Sequence, residues 1–453
     1  MHPVIQQVTE RIRERSAALR ADYVARMQAQ AAAGRPRGTL ACGNLAHVLA
    51  ACSHAQKNTL MDMTRVNVAI VTAYNDMLSA HQPYQQYPDQ IKAVLAAEGH
   101  SAQVAGGVPA MCDGVTQGQA GMDLSLFSRD VIAQSTAVSL SHNAFDATLL
   151  LGICDKIAPG QLIGALSFGH LPTAFVPAGP MSTGISNDEK VRIRQKYAAG
   201  ELGKDALLEM ENQAYHSPGT CTFYGTANTN QLVFEAMGLM LPGSAFVSPD
   251  SELRHALTNE VAALLPSLVS GSTNYRPLYQ LVDEKSLVNG LVALLASGGS
   301  TNHTMHMVAV ARAAGLILTW DDFRDLSDAV PLLAKVYPNG PADINAFHQA
   351  GGVPLLLRGL ATRGLLHMDA TPLTGNMQDY LQHPLLDNDK LSWHPVTESK
   401  DPEVLSDSEA VFNQSGGLKV LSGNLGRCVI KVSAVAEQYH HIEGRSRGIR
   451  LSA

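Results

Sequence analysis

Between Asn67 and Gly179, four short apolar runs alternate with stretches of helical periodicity, and this alternation restricts the fold more than any other feature. The runs are NVAIVTA (67–73), SAQVAGG (101–107), ATLLLGIC (147–154) and TAFVPAG (173–179). An apolar, β-branched run such as 67–73 suits a strand buried on both faces. Helical stretches at 84–100, 128–143 and 161–169 separate the runs. Strands alternating with helices predict an α/β fold with a doubly wound, mostly parallel sheet.

Around that unit the pattern is helical. Val4, Ile5, Val8, Ile12 and Leu19 fall near helical spacing, and Gly34 with Pro36 stops that helix, so 1–65 reads as an N-terminal helical segment. Two further long helical stretches are expected at 188–216 and 226–240, and 288–366 is also helix-rich. The α/β domain is therefore expected over 66–385, with a linker at 386–405. The β-like run GGLKVLSGNLGRCVIKVSA then predicts the start of an incomplete, β-rich, barrel-like domain over 406–453.

Composition excludes several partners. Net charge is −7 and aromatic residues are 5%, with no basic cluster, so no nucleic acid is expected. No apolar run approaches the ~20 residues needed to span a bilayer. The first residues lack the apolar core of a secretion signal, which together predicts a cytoplasmic protein without a membrane partner. Six dispersed cysteines do not form a disulfide scaffold, and reduced thiols or metal ligands are the better readings.

Several segments place chemistry-bearing residues just after predicted strands, where open α/β sheets bind ligands. In NDMLSAHQP the local reading is a helix start capped by Asn75 or Asp76, with His81 exposed. GGVPAMCDGVTQGQAGM sets Cys112 beside Asp113 in a glycine-rich run that fails the dinucleotide pattern. GICDKIAPG joins Cys154, Asp155 and Lys156. The thiolate suits iron or zinc and the carboxylate magnesium; the alternative is a buried Cys beside a surface ion pair. In HSPGTCTFYGTANTNQ, Cys221 precedes a helix whose N-terminus would lower its pKa; the alternative is a Gly/Thr turn with a helix cap. SGGSTNHTMH opens a helix with a generic anion cradle, lacking the Lys of a nucleotide loop. Cys42, Cys52 and Cys428 read as structural.

Together NDMLSAHQP, PAMCDGVTQGQ, GMDLSLFSRDVIA, SLSHNAFD, GICDKIAPG, CTFYGTANTNQ, SGGSTN and SGNLGR make the chain resemble the dihydroxy-acid and sugar-acid dehydratase family from about Val66 to Val435. The amino-acid-pathway branch carries a cysteine run, N-E-x-x-P-C-N, where this chain has NDMLSAH. That difference, with FYGTAN after Cys221, favours the phosphogluconate branch. The resemblance implies a 4Fe-4S cluster on Cys154 and Cys221, with Cys112 as the candidate third ligand. It implies Mg2+ (or Mn2+) at Asp113, Asp155 and Lys156, the lysine being carbamylated in relatives, and Lys156 is the candidate catalytic residue. It further implies a phosphorylated sugar acid, 6-phospho-D-gluconate, as substrate, and a homodimer. Ser300, Thr301 and Asn302 are the candidate substrate-binding residues.

In the family the chain continues past SGNLGR into a β-barrel-like domain that supplies another magnesium-binding Glu and a catalytic Ser. Here HHIEGRSRGIRLSA departs from that pattern. The expectation is that the chain as written lacks its general base and active-site cover, exposes apolar surface and has little dehydratase activity. Competing readings are a dehydratase of unphosphorylated sugar acids or dihydroxy acids, a non-catalytic remnant that binds a homologous subunit, and an unrelated thiol or zinc enzyme.

Overall fold

A computed structural model describes residues 1–407 and 410–444. The segment HHIEGRSRGIRLSA, and with it the end of the expected 406–453 domain, therefore lies partly outside the described residues.

The four predicted strands form one parallel sheet. They are β1 (Asn67–Thr72), β2 (Ser101–Gly107), β3 (Ala147–Leu151) and β4 (Thr173–Phe175), in the order β2-β1-β3-β4. β3 is buried along its whole length, as its unbroken apolar run requires. Helix α1 (Pro3–Ala32) precedes the sheet, and α2 (Tyr87–Ala97), α3 (Ser125–Leu140) and α4 (Ile157–Leu166) make the crossovers. The chain steps from β1 to β2 in one direction and then returns across β1 to β3 and β4. Right-handed crossovers then put α2 on one face and α3 with α4 on the other. The contacts agree, since α3 packs on α4 while α2 packs on the later helix Glu252–Leu264. The sheet is doubly wound, and its order reverses between β1 and its two neighbours. The loops after β1, β2 and β3 all leave from that edge.

The expected helix at 188–216 is two helices, α5 (Asn187–Ala198) and α6 (Lys204–Ala214). Gly200, at φ +77°, turns the chain between them. The stretch 226–240 gives a shorter helix, α7 (Thr226–Ala236), then α8 (Glu252–Leu264) and α9 (Glu284–Ser297). Every residue of α9 from Ser286 to Ser297 is buried, which fits a sequence apolar on all sides. Around α9 pack α1, α7, α11 (Trp320–Ala329) and α12 (Gly352–Thr362); α10 (Thr301–Ala313) packs on α4 and α7.

The C-terminal part holds two separate antiparallel ladders. β5 (Gln382–Asp387) pairs with β6 (Lys390–Pro395), and β7 (Lys419–Gly423) with β8 (Gly426–Ile430). Among the described residues they close no barrel. The stretch expected as a linker holds β6, whose Trp393 Nε1 donates to the Pro242 carbonyl at 3.0 Å. Among the described residues no helix is long and apolar enough to cross a membrane.

Candidate active site

A cavity of about 390 Å3 opens beyond the carboxyl ends of the strands. Cys112, Asp113, Cys154, Asp155, Cys221, Ser300, Thr301 and Asn302 all line it. Sheet topology explains the first four, because β2 delivers Cys112-Asp113 and β3 delivers Cys154-Asp155 to one edge. Cys221 arrives differently. Thr220 pairs with Pro180 in an isolated parallel bridge, and its carbonyl accepts from Met181 N–H at 3.0 Å. That bridge extends the edge just past β4. The Gly219 N–H donates to Ser79 O at 2.7 Å, so the NDMLSAHQP loop braces the Cys221 loop.

Helix α7 fastens these loops to one another. Asn230 Nδ2 donates to the carbonyls of Cys154 at 2.9 Å and Asp155 at 2.8 Å. Asn228 Nδ2 donates to the carbonyls of Cys221 and Phe223, both at 2.8 Å, while Thr220 Oγ1 donates to Asn228 Oδ1 at 3.0 Å. The start of α10 is tied in too, since Thr229 Oγ1 accepts from Ser300 N–H at 3.0 Å and the Thr226 and Ser300 hydroxyls meet at 2.7 Å. Fully buried Asn228, Thr229 and Asn230 would be costly without these bonds.

Lys156 stands behind the lining rather than in it. Its Nζ donates to Asp155 Oδ2 at 2.8 Å and also bonds Asp113 Oδ2. The residue is only 4% exposed, so the surface ion pair that the sequence left open is in fact buried. Desolvation would lower the lysine's pKa, but the two carboxylates overcome it and raise it. Burial would likewise raise Asp155, yet His306, whose Nε2 lies 3.5 Å from Asp155 Oδ1, and Lys156 hold it well below the usual carboxylate range. Asp113 is oriented by Ser125 Oγ, which donates to its Oδ1 at 2.7 Å.

The thiols differ. The neighbouring Cys112 and Cys154 thiols act on each other, which lowers Cys112 and raises Cys154. Cys154 also takes a left-handed backbone, φ +75°. Such a conformation is uncommon for a residue with a Cβ and marks a locally constrained turn. Cys221 corrects the expectation of a lowered thiol. It lies ahead of Thr226, the first residue of α7, and burial pushes it up to about 11. His81 is also corrected: it is fully buried rather than exposed, both ring nitrogens lack a partner, and burial lowers it to about 3. Of the cysteines read as structural, Cys42 and Cys428 are exposed and Cys52 is half-buried.

Among the described residues, no three His, Cys, Asp or Glu side chains converge on one point as a single metal ion requires. A polynuclear cluster is wider than an ion, and its thiolates stand correspondingly further apart. Three soft donors from three loops around one cavity fit such a group, and Asp113 and Asp155 beside them are two hard oxygen donors, by themselves short of a full cation site. The sequence missed Asn228, Asn230 and Tyr224 as organisers, and Lys431 as a lining residue. Tyr224, fully buried, bonds the Ser297 hydroxyl at 2.7 Å.

Residues 65–380 match the family model described as dihydroxy-acid/6-phosphogluconate dehydratase N-terminal. The chain is 57% identical over 445 residues to a phosphogluconate dehydratase of Escherichia coli (strain K12), covering 98% of this chain and 74% of the relative. A phosphogluconate dehydratase of Pseudomonas aeruginosa is 56% identical over 449 residues, covering 99% and 74%. A dihydroxy-acid dehydratase of Caldanaerobacter subterraneus is 31% identical over 400 residues, covering 85% and 68%. The chain thus spans about three quarters of the length of its phosphogluconate dehydratase relatives. It belongs to the dihydroxy-acid/6-phosphogluconate dehydratase family of hydro-lyases.

Proposed function

We propose that this site removes water from 6-phospho-D-gluconate to give 2-dehydro-3-deoxy-6-phospho-D-gluconate. The observation that carries the reading is the convergence of Cys112, Cys154, Cys221, Asp113 and Asp155 on one cavity. The similarity gradient supports the substrate, because the phosphogluconate dehydratases stand at 56–57% identity and the dihydroxy-acid dehydratase at 31%.

In this reading the three cysteines hold a 4Fe-4S cluster. Asp113 and Asp155, with Lys156 as its carbamate, hold Mg2+ or Mn2+. When bound, the cluster supplies a Lewis acid for the leaving C3 hydroxyl, and the cation stabilises charge developing on the substrate carboxylate. The protein's own part is positioning. Asp113 is held by Ser125 Oγ and Asp155 faces His306 Nε2 at 3.5 Å, so their charge needs little reorganisation as the reaction proceeds. Uncarbamylated, the Lys156 ammonium offsets one of these two negative charges; as a carbamate it would add a third anionic group. Phe223, Tyr224, Tyr337 and Pro338 wall the cavity and limit water. Loss of the C2 proton and the C3 hydroxyl leaves an enol, which tautomerises to the 2-keto product by taking a proton at C3.

The test is turnover by anaerobically purified protein, with 6-phosphogluconate and gluconate assayed side by side. Formation of the 2-keto-3-deoxy product from the phosphorylated acid, and far less from gluconate, is expected. Equal turnover of both would replace this reading with a dehydratase of unphosphorylated sugar acids.

A further inference from the structure

We propose that Lys431 is the specificity-determining contact for the phosphate end of the substrate. The inference rests on the reading of 6-phospho-D-gluconate as that substrate.

The cavity is electrically uneven. Its lining acids are Asp113 and Asp155, both turned toward Lys156. That end can take an anionic group only through a bound cation, and one such cation serves the carboxylate next to the reacting carbons. A phosphate on C6, at the other end of the substrate from the C1 carboxylate, needs positive charge elsewhere. Lys431 lines the same cavity and, among the described residues, is its one lining residue with a cationic side chain. Among the described residues it makes no ion pair with a carboxylate. Its Nζ instead lies 5.9 Å from the centroid of the Tyr224 ring. Half-buried, unpaired ammonium groups are unfavourable, and burial lowers this one to about 8. An anion arriving in the cavity would remove that penalty.

The lysine is also fixed in place, as a recognition residue must be. It follows β8, and two residues later Ser433 anchors the segment. Ser433 Oγ bonds Asn339 Oδ1 at 2.8 Å and Gly417 O at 3.1 Å, and Ser433 N–H donates to Gly417 O at 3.2 Å. Asn339 Nδ2 in turn donates to Gly298 O at 2.9 Å, next to the start of α10. The segment carrying Lys431 is thereby pinned beside Ser300, Thr301 and Asn302, on the rim where the Thr226 and Ser300 hydroxyls meet. A cation, hydroxyl groups and no acid on this rim match a phosphate dianion.

Equilibrium binding tests the proposal, using the anaerobically purified full chain with 6-phosphogluconate and gluconate as probes. Lys431→Gln should weaken 6-phosphogluconate about tenfold or more and leave gluconate unchanged. Lys431→Arg should restore most of the loss, with thermal unfolding confirming that both variants fold. If the wild type prefers the phosphorylated acid and Lys431→Gln keeps that preference, the role of Lys431 is overturned while the substrate reading stands. Equal weakening of both ligands also overturns it, because the contact would then lie on the shared carboxylate or hydroxyls. A wild type that binds both acids alike overturns the substrate reading itself.

Discussion

At the scale of single residues, one cavity gathers two Cys-Asp pairs, and side chains far along the chain brace the loops that carry them. Cys-Asp pairs at 112–113 and 154–155 stand out in the sequence because thiol and carboxylate rarely adjoin at a strand end. Their partners do not stand out. Asn230 reaches Cys154 across 76 residues, and Lys431 enters from a segment beyond the last α-helix among the described residues, so no local pattern could reveal either. His81 was misread because its segment mixes polar and apolar residues without a period, whereas its burial is set by the fold around it. Gly219 gives the sharpest residue-level prediction. It sits at φ +126°, and a Cβ there would meet Met181 N at 2.3 Å, two residues before Cys221. Gly219→Ala should cost about 1–3 kcal/mol of stability and reduce iron content. Urea unfolding and iron analysis check this, and an unchanged midpoint with full iron would show that the Cys221 loop tolerates a different path.

At the scale of elements, periodicity gave the sheet and most helices. The helix at 188–216 failed because charged residues keep a helical texture straight through Gly200, where a positive φ breaks it. The hairpin β5–β6 was hidden by its prolines, Pro384 within β5 opposite Trp393 and Pro395 at the end of β6. Helix α7 matters most to the site, since its first two turns tether the Cys154, Cys221 and Ser300 loops. Asn230→Ala would strip two backbone carbonyls of their donor. The expected cost is about 1–3 kcal/mol, with weaker metal retention during dialysis against a chelator. Should stability and retention both stay at wild-type levels, the loops would hold themselves without α7.

For the whole molecule, burial of histidines sets a pH dependence. His81 and His303 are lowered by burial to about 3 and His170 to about 4, against an ordinary value near 6.5. Each is neutral in the fold and protonated in the unfolded chain below 6.5. Their contribution is therefore complete above pH 6.5 and is lost as pH falls toward 4 and then 3. Each group contributes a slope of about 1.4 kcal/mol per pH unit in that window. Glu235, raised by burial to about 7, acts in the opposite sense, since its contribution is lost as pH rises through 7. Three histidines outweigh it, so denaturant midpoints should fall from pH 6.5 to 4.5; a flat or rising profile would contradict this balance.

The claim that joins these scales is that three loops bring Cys112, Cys154 and Cys221 together to hold one cluster. Iron and acid-labile sulfide, measured on anaerobically purified wild type and on the three single Cys→Ser variants, test it most directly. The account predicts about four of each per chain in the wild type and a marked loss in every variant. Zinc in place of iron, or a Cys112→Ser protein with its full complement of iron and sulfide, would contradict it.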